Sequence, residues 1–216
     1  VKILKNIVLG VLAVIVLLSL IALVFLPRNS KIERSLVIDA PAEVIFDQVN
    51  DLKKNDAWSP WKDSTMTVTF GSITAGKGAS TSWTSKQMGN GSQTIEVSEA
   101  PTFLQLHLDF GGMGTAKATW QFQAQDGGVK VTEAMLSDAG MNPAKRWMSL
   151  LSDKMVGPYF EKGLASLKSV SEARAAQIKA EEEAAKLAAE TAAAKAAADS
   201  AAAIAAAPKG KKGKAK

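Results

Sequence analysis

The chain has 216 residues, 47% of them hydrophobic, and a net charge of +5 that owes much to its last residues. It contains no cysteine and a single histidine, His107, so disulfides and thiolate ligands are excluded, and a Ser-His triad or a histidine-based metal site is hard to build. The body is not a basic patch, and no specific nucleic-acid binding is expected of it.

The chain opens on an uncharged run of twenty residues that begins at Ile7 and closes at Leu26. At ~1.5 Å per residue a helix of this length spans the ~30 Å hydrocarbon core of a bilayer. It has no polar face, which argues against a buried core helix. Its exit, Val24-Phe25-Leu26-Pro27-Arg28, lacks the small-residue pattern of a cleaved signal peptide. An uncleaved anchor is therefore expected over residues 1–28. Lys2 and Lys5 precede the run and Arg28, Lys31 and Arg34 follow it, a nearly balanced count under the positive-inside rule. The short N-terminal flank points to a single-pass membrane protein with an exported body, periplasmic in a bacterium.

Residues 29–170 suit one domain with a sizeable core. Residues 31–40 alternate, with Ile32, Leu36 and Ile38 on one parity, and predict a strand. Pro41 suits the first turn of a helix with the apolar stripe Val44, Ile45 and Val49, and Glu43 lies near its positive end. Pro60 stops any helix by Ser59, within Trp58-Ser59-Pro60-Trp61. Six strand signals follow, at 66–70, 79–86, 92–100, 103–110, 115–125 and 129–136, separated by turns such as Gly89-Asn90-Gly91 and Gly127-Gly128. Alternation puts Leu104, Leu106, Leu108 and Phe110 on one face, then Ala116, Ala118, Trp120, Phe122 and Ala124, then Val129, Val131, Glu133 and Met135.

A closing helix begins near Pro143, with Trp147, Met148, Leu151, Met155, Phe160, Leu164 and Leu167 read as its apolar stripe. Gly157-Pro158 is expected to interrupt and kink it. From residue 171 to 216 the composition turns to Ala, Glu and Lys. This tail predicts a solvated helix to about Ala207, with Glu181, Glu182 and Glu183 facing Lys179 and Lys186. Pro208 ends it, and five lysines follow in a basic end suited to anionic lipid or another polyanion. The element order predicts an α+β fold, a twisted antiparallel sheet wrapped around a long C-terminal helix.

Several segments resemble the polyketide cyclase/dehydratase branch of the SRPBCC (START-like) superfamily. They are Ile32-Glu33-Arg34-Ser35-Leu36-Val37-Ile38-Asp39-Ala40-Pro41, then Val44, Phe46 and Val49, then Trp58-Ser59-Pro60-Trp61. Asp153-Lys154-Met155-Val156-Gly157 and Phe160-Glu161-Lys162-Gly163-Leu164 complete the set. The resemblance implies a helix-grip fold with a cavity between sheet and C-terminal helix that takes hydrophobic small molecules. Glu133, where an apolar or aromatic residue is more usual, and Pro158 depart from the pattern.

The pocket candidates are Trp83, Phe110, Trp120, Met135, Trp147, Leu151 and Met155, which either line an apolar cavity or fill a core. Trp58 and Trp61 read as packing residues or as a cavity rim. Glu133 is the one candidate acid or base, if it is buried beside Val131 and Met135. The ordinary outcome, and the one expected, is an edge-strand twist that turns it to solvent or to a basic partner. His107 alternates out of phase with Leu106 and Leu108 and is expected to be exposed. Asp138, Asp109 and Glu96 lack metal-ligand spacing, and Gly111-Gly112-Met113-Gly114 is a hairpin connection rather than a phosphate loop.

The leading expectation is a membrane-tethered, non-enzymatic binding domain for a hydrophobic small molecule or lipid, with no cofactor and no metal. A second is a cyclase/dehydratase-type enzyme using Glu133 with water or with Tyr159, the only tyrosine. A third is an envelope interaction protein acting through its basic tail.

Overall fold

The computed structural model describes residues 2–206, with side chains as far as residue 200. The expected helix end at Ala207 and Pro208, and the lysine-rich end, lie outside the described residues. Contacts divide the chain into two compact units, Val1–Ala173 and Arg174–Lys216.

The apolar run forms helix α1, Lys2–Phe25. Strand β1, Asn29–Ile38, follows, then helix α2, Ala42–Asn50, with Pro41 as its N-cap, and the short helix α3, Asn55–Trp58. The six later strands are β2 Thr67–Phe70, β3 Ser80–Thr84, β4 Gly91–Glu99, β5 Phe103–Asp109, β6 Thr115–Gln125 and β7 Gly128–Asp138. They form one seven-stranded sheet in the order β1-β7-β6-β5-β4-β3-β2, antiparallel throughout. The Gly111–Met113 segment is a single 3-10 turn between β5 and β6, as its hairpin reading requires. Helix α4, Pro143–Ala206, closes the chain. The fold is α+β and helix-grip-like.

Strand parity decides the inner face. Ile32 and Ile38 of β1, Val129 and Val131 of β7, Trp120 and Phe122 of β6, and Leu104 and Leu106 of β5 are all buried. Phe160, Leu164 and Leu167 of α4 seal this floor, and Ile45, Phe46 and Val49 of α2 complete the core. Phe46 meets Phe122 edge to face at 5.4 Å. The stripe on α2 is Ile45, Phe46 and Val49, with Val44 only half-buried.

Helix α4 passes through Pro158 without a break. Pro158 cannot bond the Lys154 carbonyl, but both residues are exposed, so that oxygen is open to solvent. In the second unit, Glu181 is met by Arg174 at 3.5 Å and by Gln177 at 2.7 Å, rather than by the expected lysines.

The end of α1 is fastened to the body. Arg146, only 7% exposed, donates to the carbonyls of Leu23 at 2.7 Å, Leu26 at 3.2 Å and Ala22 at 3.4 Å. The Leu23 carbonyl is an orphan of the helix C-terminus, the Ala22 carbonyl also accepts from the Leu26 N–H at 3.2 Å, and a cation there complements the helix dipole. Ala22 is fully buried at this joint. Just beyond, Arg28 grips Asp138 through two bonds of 2.8 and 2.6 Å, which hold the Asp138 carboxyl down at about 2.

Candidate functional site

The inner face has two halves. Toward the chain end of α4 it is sealed by Phe160, Leu164 and Leu167. Toward the start of α4 it is less well covered. Trp83, Leu108, Phe110 and Met135 point to the same side of the sheet as the core residues, yet are only half-buried. Above them α4 turns small and polar residues inward. Ser149, Asp153, Val156 and Gly157 lie on the side of the helix that carries Phe160 and Leu164.

Trp83 and Phe110 meet edge to face at 6.2 Å across Gly91, where an added Cβ would strike the Trp83 ring at 2.4 Å. Trp120, 4% exposed, sits deeper and meets Trp58 edge to face at 5.5 Å. Trp58 is buried too, its Nε1 donating to the Gln48 carbonyl at 3.1 Å. Trp61 is partly exposed and stacks on Tyr159 at 4.6 Å. An open groove of ≈ 340 Å³ lies beside this cluster, lined by Trp58, Ser59, Pro60, Lys62 and, on α4, Lys162 and Ser166. The tryptophan motif thus packs and also borders a groove.

Glu133 lies on the inner face, opposite Trp120 on one side and Arg34 on the other. It is 7% exposed, which corrects the expectation that it turns to solvent. The reason is topology: β7 runs between β1 and β6 and is not an edge strand. Nor does it take a basic partner. Arg34 turns to α4 instead, bonding Asp153 at 2.9 and 3.1 Å and Glu161 at 2.8 Å. Among the described residues Glu133 has no hydrogen bond or ion pair, and burial alone pushes its carboxyl well above the ordinary range. A buried neutral acid here can donate one hydrogen bond to a ligand oxygen or exchange a proton with it.

Arg34, which the sequence reading places only among the basic residues after the apolar run, shares the parity of Ile32, Leu36 and Ile38. A cation among same-face apolar residues was the available signal. Its guanidinium lies against Gly157, where an added Cβ would come within 2.2 Å of Nη2. Gly157→Ala is expected to destabilise modestly, because a pinned Arg34 offsets the ~1 kcal/mol that alanine otherwise adds to a helix. In an Arg34→Ala background the same change is expected to stabilise by about 1 kcal/mol. Urea unfolding of the four chains in detergent checks it, and equal effects in both backgrounds would refute the contact.

Three of the candidates do not line this space. Trp147, Leu151 and Met155 are 38%, 51% and 55% exposed. Nine residues carry a helix through about two and a half turns, so Leu151 opposes Phe160 and Met155 opposes Leu164. The single stripe read from sequence is two stripes on opposite sides of α4. Trp83, Phe110, Trp120 and Met135 do share the inner face. His107 lies on the outer face between Thr94 and Lys117, half-buried rather than exposed. Among the described residues no cluster of three His, Cys, Asp or Glu is placed to hold a metal.

The architecture is shared with solved structures. A protein of unknown function from Staphylococcus aureus aligns with a TM-score of 0.54 and 10% identity, over 68% of this chain and 95% of that one. A solution structure from Staphylococcus epidermidis gives a TM-score of 0.50 and 18% identity, over 68% and 93%. At such identities the likeness shows the fold alone. No curated protein matches the chain significantly. Residues 30–172, the whole sheet and the part of α4 that covers it, match the family described as Polyketide cyclase / dehydrase and lipid transport, and the chain belongs to that family.

Proposed function

We propose that this protein is a membrane-tethered binding domain for a hydrophobic small molecule or lipid. The observation that carries the reading is the half-open inner floor of Trp83, Leu108, Phe110 and Met135, with the unpaired Glu133 beside it. An apolar ligand covers such a floor and finds one hydrogen-bond donor there, the composition expected of a small-molecule site. Helix α1 is long and apolar enough to cross a bilayer. Its joint to the body at Arg146 holds the floor near the membrane, where apolar ligands concentrate.

Native mass spectrometry of the full chain ejected from lipid nanodiscs tests this. A retained apolar adduct is expected. Met135→Trp, which fills the floor from a half-buried position on β7, is expected to cut occupancy on the order of tenfold, a loss of ~1.4 kcal/mol. A bare wild-type chain, or an adduct indifferent to Met135, would count against the site.

The second reading, an enzyme of the cyclase/dehydratase type, rests on the burial of Glu133. Tyr159 does not support it, because it stacks on Trp61 at the outer side of α4. Glu133→Gln separates the readings: a binder keeps its adduct, whereas an enzyme returns unconverted substrate.

A further inference from the structure

The stripe that α4 turns away from the sheet is left largely uncovered by the body, which meets it at Tyr159, stacked on Trp61 at 4.6 Å. Trp147, Met148, Leu151, Met155 and Tyr159 recur at helical spacing and are 38–55% exposed. A solvated helix face does not carry five such residues in about four turns. The sealed core needs none of them, since its own stripe lies on the opposite side.

Three observations say what covers this stripe. First, the indole Nε1 of Trp147 donates to the Leu18 carbonyl of α1 at 3.3 Å. Leu18 lies seven residues before the end of α1, about 10 Å back along its axis. The start of α4 therefore lies alongside the apolar helix, not beyond its exit. Second, α1 has 24 residues, about 36 Å of helix against a hydrocarbon core of ~30 Å. Its uncharged run closes at Leu26, so the exit of α1 marks the edge of that core, and Arg146 and Trp147 hold the last turns that approach it. Third, the stripe has the composition of an interfacial helix. Trp147 and Tyr159 stand at its two ends with Met148, Leu151 and Met155 between, and the exposed Lys154 and Lys162 flank it. Asp153 and Glu161, the acidic residues of this segment, are drawn to the other side by Arg34.

We infer that the α4 segment from Trp147 to Tyr159 lies in the interface of the same bilayer that α1 crosses, with its outward stripe in the lipid and the sheet held above it. This rests on the tether reading of α1. It makes the body a two-point membrane protein, and the half-open floor beneath the start of α4 then opens close to the lipid surface.

The absence of native cysteine allows clean single-cysteine nitroxide labelling of the full chain. Labels at Leu151→Cys and Met155→Cys report the stripe, Val14→Cys reports α1, and Gln121→Cys on the exposed outer sheet reports water. The chains are reconstituted in phosphatidylcholine/phosphatidylglycerol vesicles, and collisional access is compared for oxygen and for a water-soluble nickel complex. The expected result is an oxygen-to-nickel ratio at 151 and 155 severalfold above that at 121, with the highest ratio at 14. A high ratio at 14 with 151 and 155 matching 121 would overturn the interfacial helix and leave the tether standing. A water-like ratio at 14 would overturn both. Two stripe positions guard against a local effect of either substitution.

Discussion

Trp120→Ala is expected to cost about 3–5 kcal/mol, the range for a large aromatic removed from a packed core. Trp120 is 4% exposed, faces Glu133 across the β6–β7 ladder and meets the Trp58 ring at 5.5 Å. Its loss leaves a cavity that the neighbouring strands cannot close. Hydrogen exchange of the β5–β7 amides in the full chain reads the loss directly, as a fall in protection of roughly two to four decades. Trp147→Ala makes the contrast. Its side chain is partly exposed on the far side of α4, and in detergent it is expected to leave those same amides nearly unchanged. Equal losses at the two tryptophans would contradict the division of α4 into an inner and an outer stripe.

Glu133→Gln is expected to stabilise the body, by an amount that grows with pH. Burial raises the Glu133 carboxyl in the folded chain above its ordinary value of 4.5, so the folded state keeps a proton that the unfolded state has lost. Folding is then penalised as pH rises above about 4.5, at up to ~1.4 kcal/mol per pH unit, until the folded-state carboxyl itself ionises. Below that window both states are protonated and the penalty vanishes. Asp63, Asp138, Asp153 and Glu172 act with the opposite sign, since their partners lower them and their contribution is lost in acid. Those effects are common to both chains and cancel in the difference. Urea unfolding of wild type and variant from about pH 4 to 8 supplies the comparison, and parallel curves would mean that Glu133 is not a buried neutral acid.

These two residues show how far alternation along the chain can be read. The period-two pattern placed Trp120 and Glu133 on the inner face, because side-chain direction in a strand is a local property. The register confirms it, with Glu133 opposite Trp120 and Arg34. The burial of Glu133 was not legible. It depends on β1 pairing with β7, which turns a strand at the end of the hairpin series into an inner strand. That pairing joins residues more than ninety positions apart in the chain, such as Ile38 and Val129. The fate of Arg34 was equally hidden, since Asp153 and Glu161 reach it only after α4 is laid across the sheet.

The amino-acid order decided the elements of this protein: one apolar helix, a first strand and its following helix, six further strands separated mostly by glycine turns, and a long last helix. Each follows from periodicity and turn chemistry within a dozen or so residues. Tertiary structure decided which sides of those elements matter. On α4 two apolar stripes share one segment, and only contact with the sheet distinguishes the core stripe of Phe160 and Leu164 from the outward stripe of Trp147, Leu151 and Met155. At the other end of the body, Arg146 meets the carbonyls of Leu23 and Leu26 across some 120 residues of chain. No local pattern encodes that meeting, because it exists only once the sheet has brought both ends of the body together.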